Sequence, residues 1–127
     1  MKQNTQRPVF LNLLQIRLPL GGVMSIIHRV SGVLLVLAIP ILIYFLQLLN
    51  DGEESFAQAQ TFLQTLSGKL ILSLITWLLI QHSMSGIRHL LMDLDFSYDK
   101  HIARTTARVA FVCSSMLIVV TGILIWL

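Results

Sequence analysis

Three long stretches of the chain contain no Asp, Glu, Lys or Arg. Each is as long as the roughly 17 to 25 residues with which a helix crosses the hydrocarbon core of a bilayer. Membrane β-strands would instead alternate apolar and polar positions in segments of about ten residues, and these stretches do not. The uncharged stretches are residues 30–50, 70–87 and 109–127. The pattern predicts an all-α integral membrane protein with three transmembrane helices, at about residues 23–49, 67–92 and 106–127.

The segment before the first span differs from the rest of the chain. Arg17 and two prolines interrupt it, so a fourth span does not fit there. The first helix is expected to begin near Pro19, because proline is tolerated at an early helical position. We therefore predict a cytoplasmic or interfacial arm over residues 1–22 and a three-helix transmembrane anchor domain over residues 23–127.

Two further features qualify this outline. Pro40 lies in the middle of the first span, where a proline frees a carbonyl group and favours a kink. Residues 53–67 carry apolar side chains at helical spacing. They fit a short amphipathic helix that ends at Gly68, or a simple linker, equally well.

The charges support membrane insertion and predict an orientation. Only 12% of the residues are charged, against about a quarter in a soluble domain. In the three-span scheme eight of the nine Lys and Arg residues fall on one side, and only Lys69 lies at the other boundary. The positive-inside rule therefore places the N-terminus and the second loop in the cytoplasm, or its organellar equivalent, and Leu127 outside. Topology thus explains the net charge of +3 better than nucleic-acid binding does.

His82 is the ionisable residue that lies deepest in a predicted span. It precedes Arg88 by six residues, which places it about 9 Å below that end of the helix. Ionisable groups at such depth are costly and are functional candidates by default. A bond to a neighbouring helix would explain His82 without a cofactor. Gly86, one turn away, favours an axial heme ligand instead, because it leaves room for a flat macrocycle.

A second polar cluster occupies residues 25–32 at the entrance of the first span. Ser25 and Arg29 are four residues apart and share a helix face, with His28 beside them. Arg29 alone could be an interfacial anchor. A hydroxyl, an imidazole and a guanidinium within one turn instead favour an anionic group, such as heme propionates, or a carbonyl at the membrane edge.

The chain contains too few suitable groups to act alone. His28 and His89 are expected nearer the interface than His82, and His101 falls in a loop, so a six-coordinate heme would need a histidine from a partner subunit. Cys113 is the only cysteine, and neither an iron–sulfur motif nor a dinucleotide fingerprint is present. Reactions of water-soluble substrates are therefore expected on another polypeptide.

Two sequence motifs resemble those of a known family. Residues 25–32 read Ser-Ile-Ile-His-Arg-Val-Ser-Gly, and residues 82–93 read His-Ser-Met-Ser-Gly-Ile-Arg-His-Leu-Leu-Met-Asp. Together with the arm from Arg7, they are similar to the cytochrome b membrane-anchor subunit of succinate dehydrogenase, or complex II. The resemblance covers residues 7–93, whereas the third helix matches only in hydropathy.

The resemblance implies a role for each matched residue. His82 corresponds to the axial ligand of heme b, with the opposite ligand supplied by a second, smaller anchor subunit. Ser25 and Arg29 correspond to the ubiquinone pocket. His28 and Arg29, and with them His89, correspond to positions near the heme propionates.

The resemblance also implies partners and an overall reaction. A flavoprotein subunit would oxidise succinate, and an iron–sulfur subunit would pass the electrons to ubiquinone at this chain's cytoplasmic edge, within a heteromeric helix bundle. A fumarate reductase anchor and a non-redox membrane scaffold are the alternatives. The first twenty residues lack the features of a secretory signal or transit peptide, which favours a bacterial plasma membrane over a mitochondrial inner membrane.

Overall fold

The computed structural model describes residues 18–94 and 100–127, which form four α-helices and no strand. Three of the helices, α1, α3 and α4, are long and apolar enough to cross a membrane. This confirms the prediction of an all-α membrane protein with three spans. Residues 1–17, most of the predicted arm, lie outside the described residues. The helices are α1 (Leu20–Asn50), α2 (Glu53–Gln64), α3 (Leu66–Asp93) and α4 (Lys100–Trp126).

The first helix begins where the sequence predicts and runs for 31 residues. Pro19 is its N-cap, in extended conformation, and the carbonyl of Pro19 accepts a hydrogen bond of 2.8 Å from the amide of Gly22. A proline suits the start of a helix because its missing N–H group would have no partner there anyway. The helix continues through Pro40 to Asn50.

Residues 53–64 form an amphipathic helix rather than a linker. The break that follows lies at Thr65 and not at Gly68. The Thr65 hydroxyl accepts a hydrogen bond of 3.1 Å from the amide of Gly68, and so caps the N-terminus of α3. Gly68 lies within α3, where a Cβ atom would overlap the carbonyl oxygen of Phe62. Its role is to allow the close approach of two helix ends.

The last helix begins at Lys100, six residues before residue 106, at which the third span is predicted to begin. The prediction followed the uncharged stretch, but the charged first turns of α4 are helical as well. Ala107 and Ala110 in this region pack against Met24 of α1 in the buried core. Arg104 and Arg108 are exposed, so the positive charges do not interrupt the packed face.

The bundle buries small and polar side chains and exposes large apolar ones. Ser31, Ser85 and Ser114 are almost completely buried between the helices. Leu37 and Leu124, by contrast, are 66% and 70% exposed. Small and hydroxylated residues at helix contacts are typical of membrane bundles, in which lipid or partner helices cover the apolar surface.

Candidate functional site

Three histidine side chains of α1 and α3 lie in contact. The rings of His28 and His82 stack with centroids 4.2 Å apart and an interplanar angle of 14°. His89 also contacts His28, with ring centroids 5.2 Å apart and an interplanar angle of 47°. The expectation that His28 lies nearer the interface than His82 is therefore wrong. Because α1 begins at Leu20, His28 is already about 12 Å along the helix.

Each of the two stacked rings lies over a glycine of the opposite helix. A Cβ atom on Gly32 of α1 would lie 2.9 Å from Cε1 of His82, and one on Gly86 of α3 would lie 3.3 Å from Nε2 of His28. The space above Gly86 thus holds the His28 ring, whereas the sequence suggested that it holds a macrocycle. Both glycines let α1 and α3 approach at this level.

The hydrogen bonds of His82 indicate which ring nitrogen carries the proton. Its Nδ1 atom lies 3.1 Å from the carbonyl oxygen of His28 and 3.3 Å from Oγ of Ser31. The Ser31 hydroxyl itself donates to the His28 carbonyl, at 2.9 Å. A carbonyl can only accept, so Nδ1 of His82 carries the proton and donates. In the neutral ring Nε2 then keeps its lone pair, and it has no hydrogen-bond partner among the described residues.

His28, Arg29 and His82 line one open groove on the outer face of α1. Its remaining walls are apolar, formed by Gly32 together with Val33, Val36 and Leu37. Arg29 is exposed, so its guanidinium is available to an incoming group. Ser25 is half-buried one turn before Arg29 and does not line this groove. Of the five predicted site residues, the structure therefore brings four together. Three of them, His28, Arg29 and His82, line the groove, and His89 contacts the His28 ring. Ser25 lies outside the groove.

Two polar residues of α3 have positions that the sequence did not predict. Arg88 is only 5% exposed, and its Nη2 donates to the carbonyl of Ala103 at 3.4 Å. Its Nε atom has no partner within the part of the chain that the structure describes. Ser85 is fully buried and donates to the carbonyl of Met24 at 3.3 Å. Both residues connect α3 to its neighbours, which hydropathy alone cannot indicate.

The arrangement limits the kind of cofactor that the groove can hold. Among the described residues no group of three or more His, Cys, Asp or Glu side chains could hold a metal ion. A single imidazole with a free Nε2 suits instead a metal that brings most of its ligands with it. The exposed Arg29 beside it favours negatively charged substituents.

Comparison with known proteins identifies the family to which the chain belongs. The family model for the succinate dehydrogenase/fumarate reductase transmembrane subunit matches residues 3–122. The succinate dehydrogenase cytochrome b556 subunit of Coxiella burnetii is 35% identical over 97% of this chain and 99% of its own length. The protein of the same name from Paracoccus denitrificans is 30% identical, over 91% and 88%. A cytochrome b560 subunit from Reclinomonas americana is 29% identical, over 78% and 72%. The chain therefore belongs to the family of succinate dehydrogenase and fumarate reductase transmembrane subunits.

Proposed function

We propose that this chain is the heme b- and quinone-binding membrane anchor of a succinate:ubiquinone oxidoreductase. The observation that carries the proposal is the state of His82, which is held through Nδ1 and keeps a free lone pair on Nε2 in an open groove. Relatives across nearly the whole chain are named succinate dehydrogenase subunits, which favours succinate oxidation over fumarate reduction.

The residues of the groove fit a heme. An iron-binding imidazole usually donates its second N–H group to a carbonyl or carboxylate, which fixes the tautomer and makes the ligand more basic. His82 has such a bond, to the carbonyl of His28. Gly32 allows the His82 ring to lie in this position against α1, since a Cβ atom there would lie 2.9 Å from Cε1 of the ring. The heme would supply one-electron storage next to the quinone.

The second axial ligand would come from a partner subunit. The other two histidines of the cluster are not placed to act as that ligand, because His28 lies face to face with His82 and His89 contacts the His28 ring. The remaining histidine, His101, is the second residue of α4 and is exposed. A smaller anchor subunit that contributes a histidine would complete the heme and form a heteromeric bundle with this chain.

Arg29, His28 and His89 would hold the anionic edge of the heme. Arg29 and His28 line the groove beside His82, and His89 contacts the His28 ring. A guanidinium binds a carboxylate through two parallel hydrogen bonds, so Arg29 suits a propionate. Because such charge-assisted bonds strengthen where water is scarce, a site at the membrane edge favours this pairing.

The quinone would bind beside Ser25 and Arg29, which are one helical turn apart. Ser25 would donate a hydrogen bond to a quinone carbonyl, and Arg29 would stabilise negative charge on the ring oxygen as electrons arrive. The chain itself would hold no dicarboxylate site. Succinate would be oxidised on a flavoprotein subunit, and an iron–sulfur subunit would deliver the electrons to the quinone.

The position of the complex follows from the charge distribution. The positive-inside rule places the N-terminus and the loop between α3 and α4 in the cytoplasm. The site lies toward that end of the spans, because His28 is near the start of α1 and His82 belongs to the second half of α3. The soluble subunits would dock there, on the inner face of a bacterial plasma membrane.

The test is the optical spectrum of the complex purified with its native partners. The wild-type complex is expected to show the reduced-minus-oxidised bands of a b-type heme, and His82→Ala is expected to remove them. His101→Ala, which changes an exposed histidine of α4, should leave the bands intact. An unchanged spectrum in His82→Ala would disprove the ligand assignment. A colourless wild-type complex would indicate a non-redox scaffold.

A further inference from the structure

We propose that Ser31 is a positioning residue for the heme ligand, which fixes the tautomer and the orientation of His82 and so tunes the heme. The inference rests on the proposed function, because it assumes that His82 binds iron. Ser31 would not touch the heme. It would act through the Nδ1 side of the imidazole, on the side of the ring opposite the iron.

The hydrogen bonds around Ser31 leave it one role toward His82. Its hydroxyl proton is donated to the carbonyl of His28, at 2.9 Å. Its Oγ lies 3.3 Å from Nδ1 of His82 and can therefore only accept. The residue is 1% exposed, so water does not compete for either bond. The Ser31 hydroxyl of α1 thus accepts a hydrogen bond from the His82 ring of α3.

Two acceptors hold the ring more firmly than one. Nδ1 of His82 lies between the carbonyl of His28 and Oγ of Ser31, at 3.1 and 3.3 Å. With both present, rotation about the bond between Cβ and the ring lengthens at least one hydrogen bond. With Ser31 removed, the carbonyl alone restrains the ring. The orientation of the ligand would then be less well defined.

The second acceptor also changes the electronic character of the ligand. Each hydrogen bond from Nδ1–H places more electron density on the imidazole and makes Nε2 a stronger donor. A stronger donor stabilises oxidised iron relative to reduced iron, and outer hydrogen bonds are among the factors that set heme potentials. Loss of the Ser31 hydroxyl is therefore expected to raise the midpoint potential of the heme.

A matched serine on α4 makes the test specific. Ser114 is also 1% exposed, and its hydroxyl donates to the carbonyl three residues earlier, that of Phe111, at 2.9 Å. It thus has the burial and the local bond of Ser31 without an imidazole partner. Ser31→Ala, Ser114→Ala and Ser31→Thr would be prepared as complete complexes. Heme content, the midpoint potential and the electron paramagnetic resonance of the oxidised heme would be measured for each.

Ser31→Ala is expected to raise the potential and broaden the resonance, or to lose heme, while Ser114→Ala matches the wild type. Ser31→Thr keeps the hydroxyl and should restore the wild-type values. If Ser31→Ala behaves like Ser114→Ala, or if Ser31→Thr fails to restore the signal, the positioning role is wrong. A wild-type complex without heme would instead disprove the proposed function itself.

Discussion

His28 of α1 and His82 of α3 stack face to face, 4.2 Å apart, and each ring covers a glycine of the other helix. This reciprocal arrangement sets the distance between the two helices at the level of the site. It also places the His28 carbonyl within hydrogen-bonding distance of Nδ1 of His82. Because the two rings stack face to face, His28 does not oppose His82 in this conformation, so the proposed heme would need a second ligand from a partner subunit.

Gly32→Ala should weaken heme binding strongly. The new Cβ atom would lie 2.9 Å from Cε1 of His82, a separation that real Cβ atoms do not tolerate, so the ring must move. Overpacking of this kind costs about 1–3 kcal/mol, which corresponds to a loss of roughly five- to 150-fold in an equilibrium constant. The heme-to-protein ratio of the purified complex measures the effect.

Two further glycines supply graded controls. At Gly86 the added atom would lie 3.3 Å from Nε2 of His28, and at Gly122 it would meet nothing within 4 Å. Gly86→Ala should therefore reduce heme content less than Gly32→Ala does, and Gly122→Ala should leave it unchanged. Equal loss of heme in all three variants would show that helix flexibility, and not space around the imidazoles, is what matters.

Arg29→Leu should impair quinone reduction selectively. The guanidinium is exposed in the groove beside His82, and a hydrogen bond to a charged group contributes about 1.5–3 kcal/mol. Ubiquinone reduction by succinate is therefore expected to fall about tenfold or more. Succinate oxidation with a soluble artificial acceptor should persist, because on the proposed function that reaction takes place on the flavoprotein subunit. The ratio of the two rates is the measurement.

Arg108→Leu is the matched control for Arg29→Leu. Arg108 is an exposed arginine of α4, which carries none of the proposed site residues. Its removal should leave both rates close to those of the wild type. Parallel loss of both rates in Arg29→Leu would indicate that the complex fails to assemble, and would contradict a role for Arg29 at the quinone.

Arg88→Ala should destabilise the bundle, although the sequence groups this residue with the charges at the membrane surface. The side chain is 5% exposed, and its Nη2 atom donates a hydrogen bond to the carbonyl of Ala103 in α4. Losing a charged hydrogen bond and its packing is expected to cost about 2 kcal/mol or more. Thermal unfolding in detergent should show a lower midpoint for Arg88→Ala, and little change for the exposed Arg104→Ala. Equal midpoints would show that Arg88 contributes nothing to the packing.

The sequence predicts the membrane architecture well because a bilayer imposes strong rules on composition. Runs without charge identify the three spans, since lipid penalises each charge heavily. The same rule predicts the span but not the full length of its helix, because α4 begins at Lys100, before the uncharged stretch. Charged residues such as Arg104 can belong to a helix that extends beyond the lipid. In α4 the small side chains of Ala107 and Ala110 form the face that packs against Met24.

The site could be predicted only in part. His28, Arg29 and His82 stand out because polar groups are rare in the spans. How they are arranged depends on the register between α1 and α3, which a pattern along one helix does not contain. The stacking of His28 on His82, and the hydrogen bond from Nδ1 of His82 to the Ser31 hydroxyl, follow from that register. A serine three residues after a histidine indicates the bond between Ser31 and the His28 carbonyl within α1, but not the contact of Ser31 with His82.

Gly68→Ala should disrupt the junction between α2 and α3, far from the proposed heme. A Cβ atom at this position would overlap the carbonyl oxygen of Phe62 and crowd the backbone of Leu63, and backbone cannot move aside as a flexible side chain can. The expected cost exceeds the roughly 1–3 kcal/mol of ordinary overpacking. Thermal unfolding and limited proteolysis near Thr65 measure it. Gly122→Ala, with open space around it, is the control. A Gly68→Ala protein as stable and as protease-resistant as Gly122→Ala would show that the two helix ends are not in tight contact.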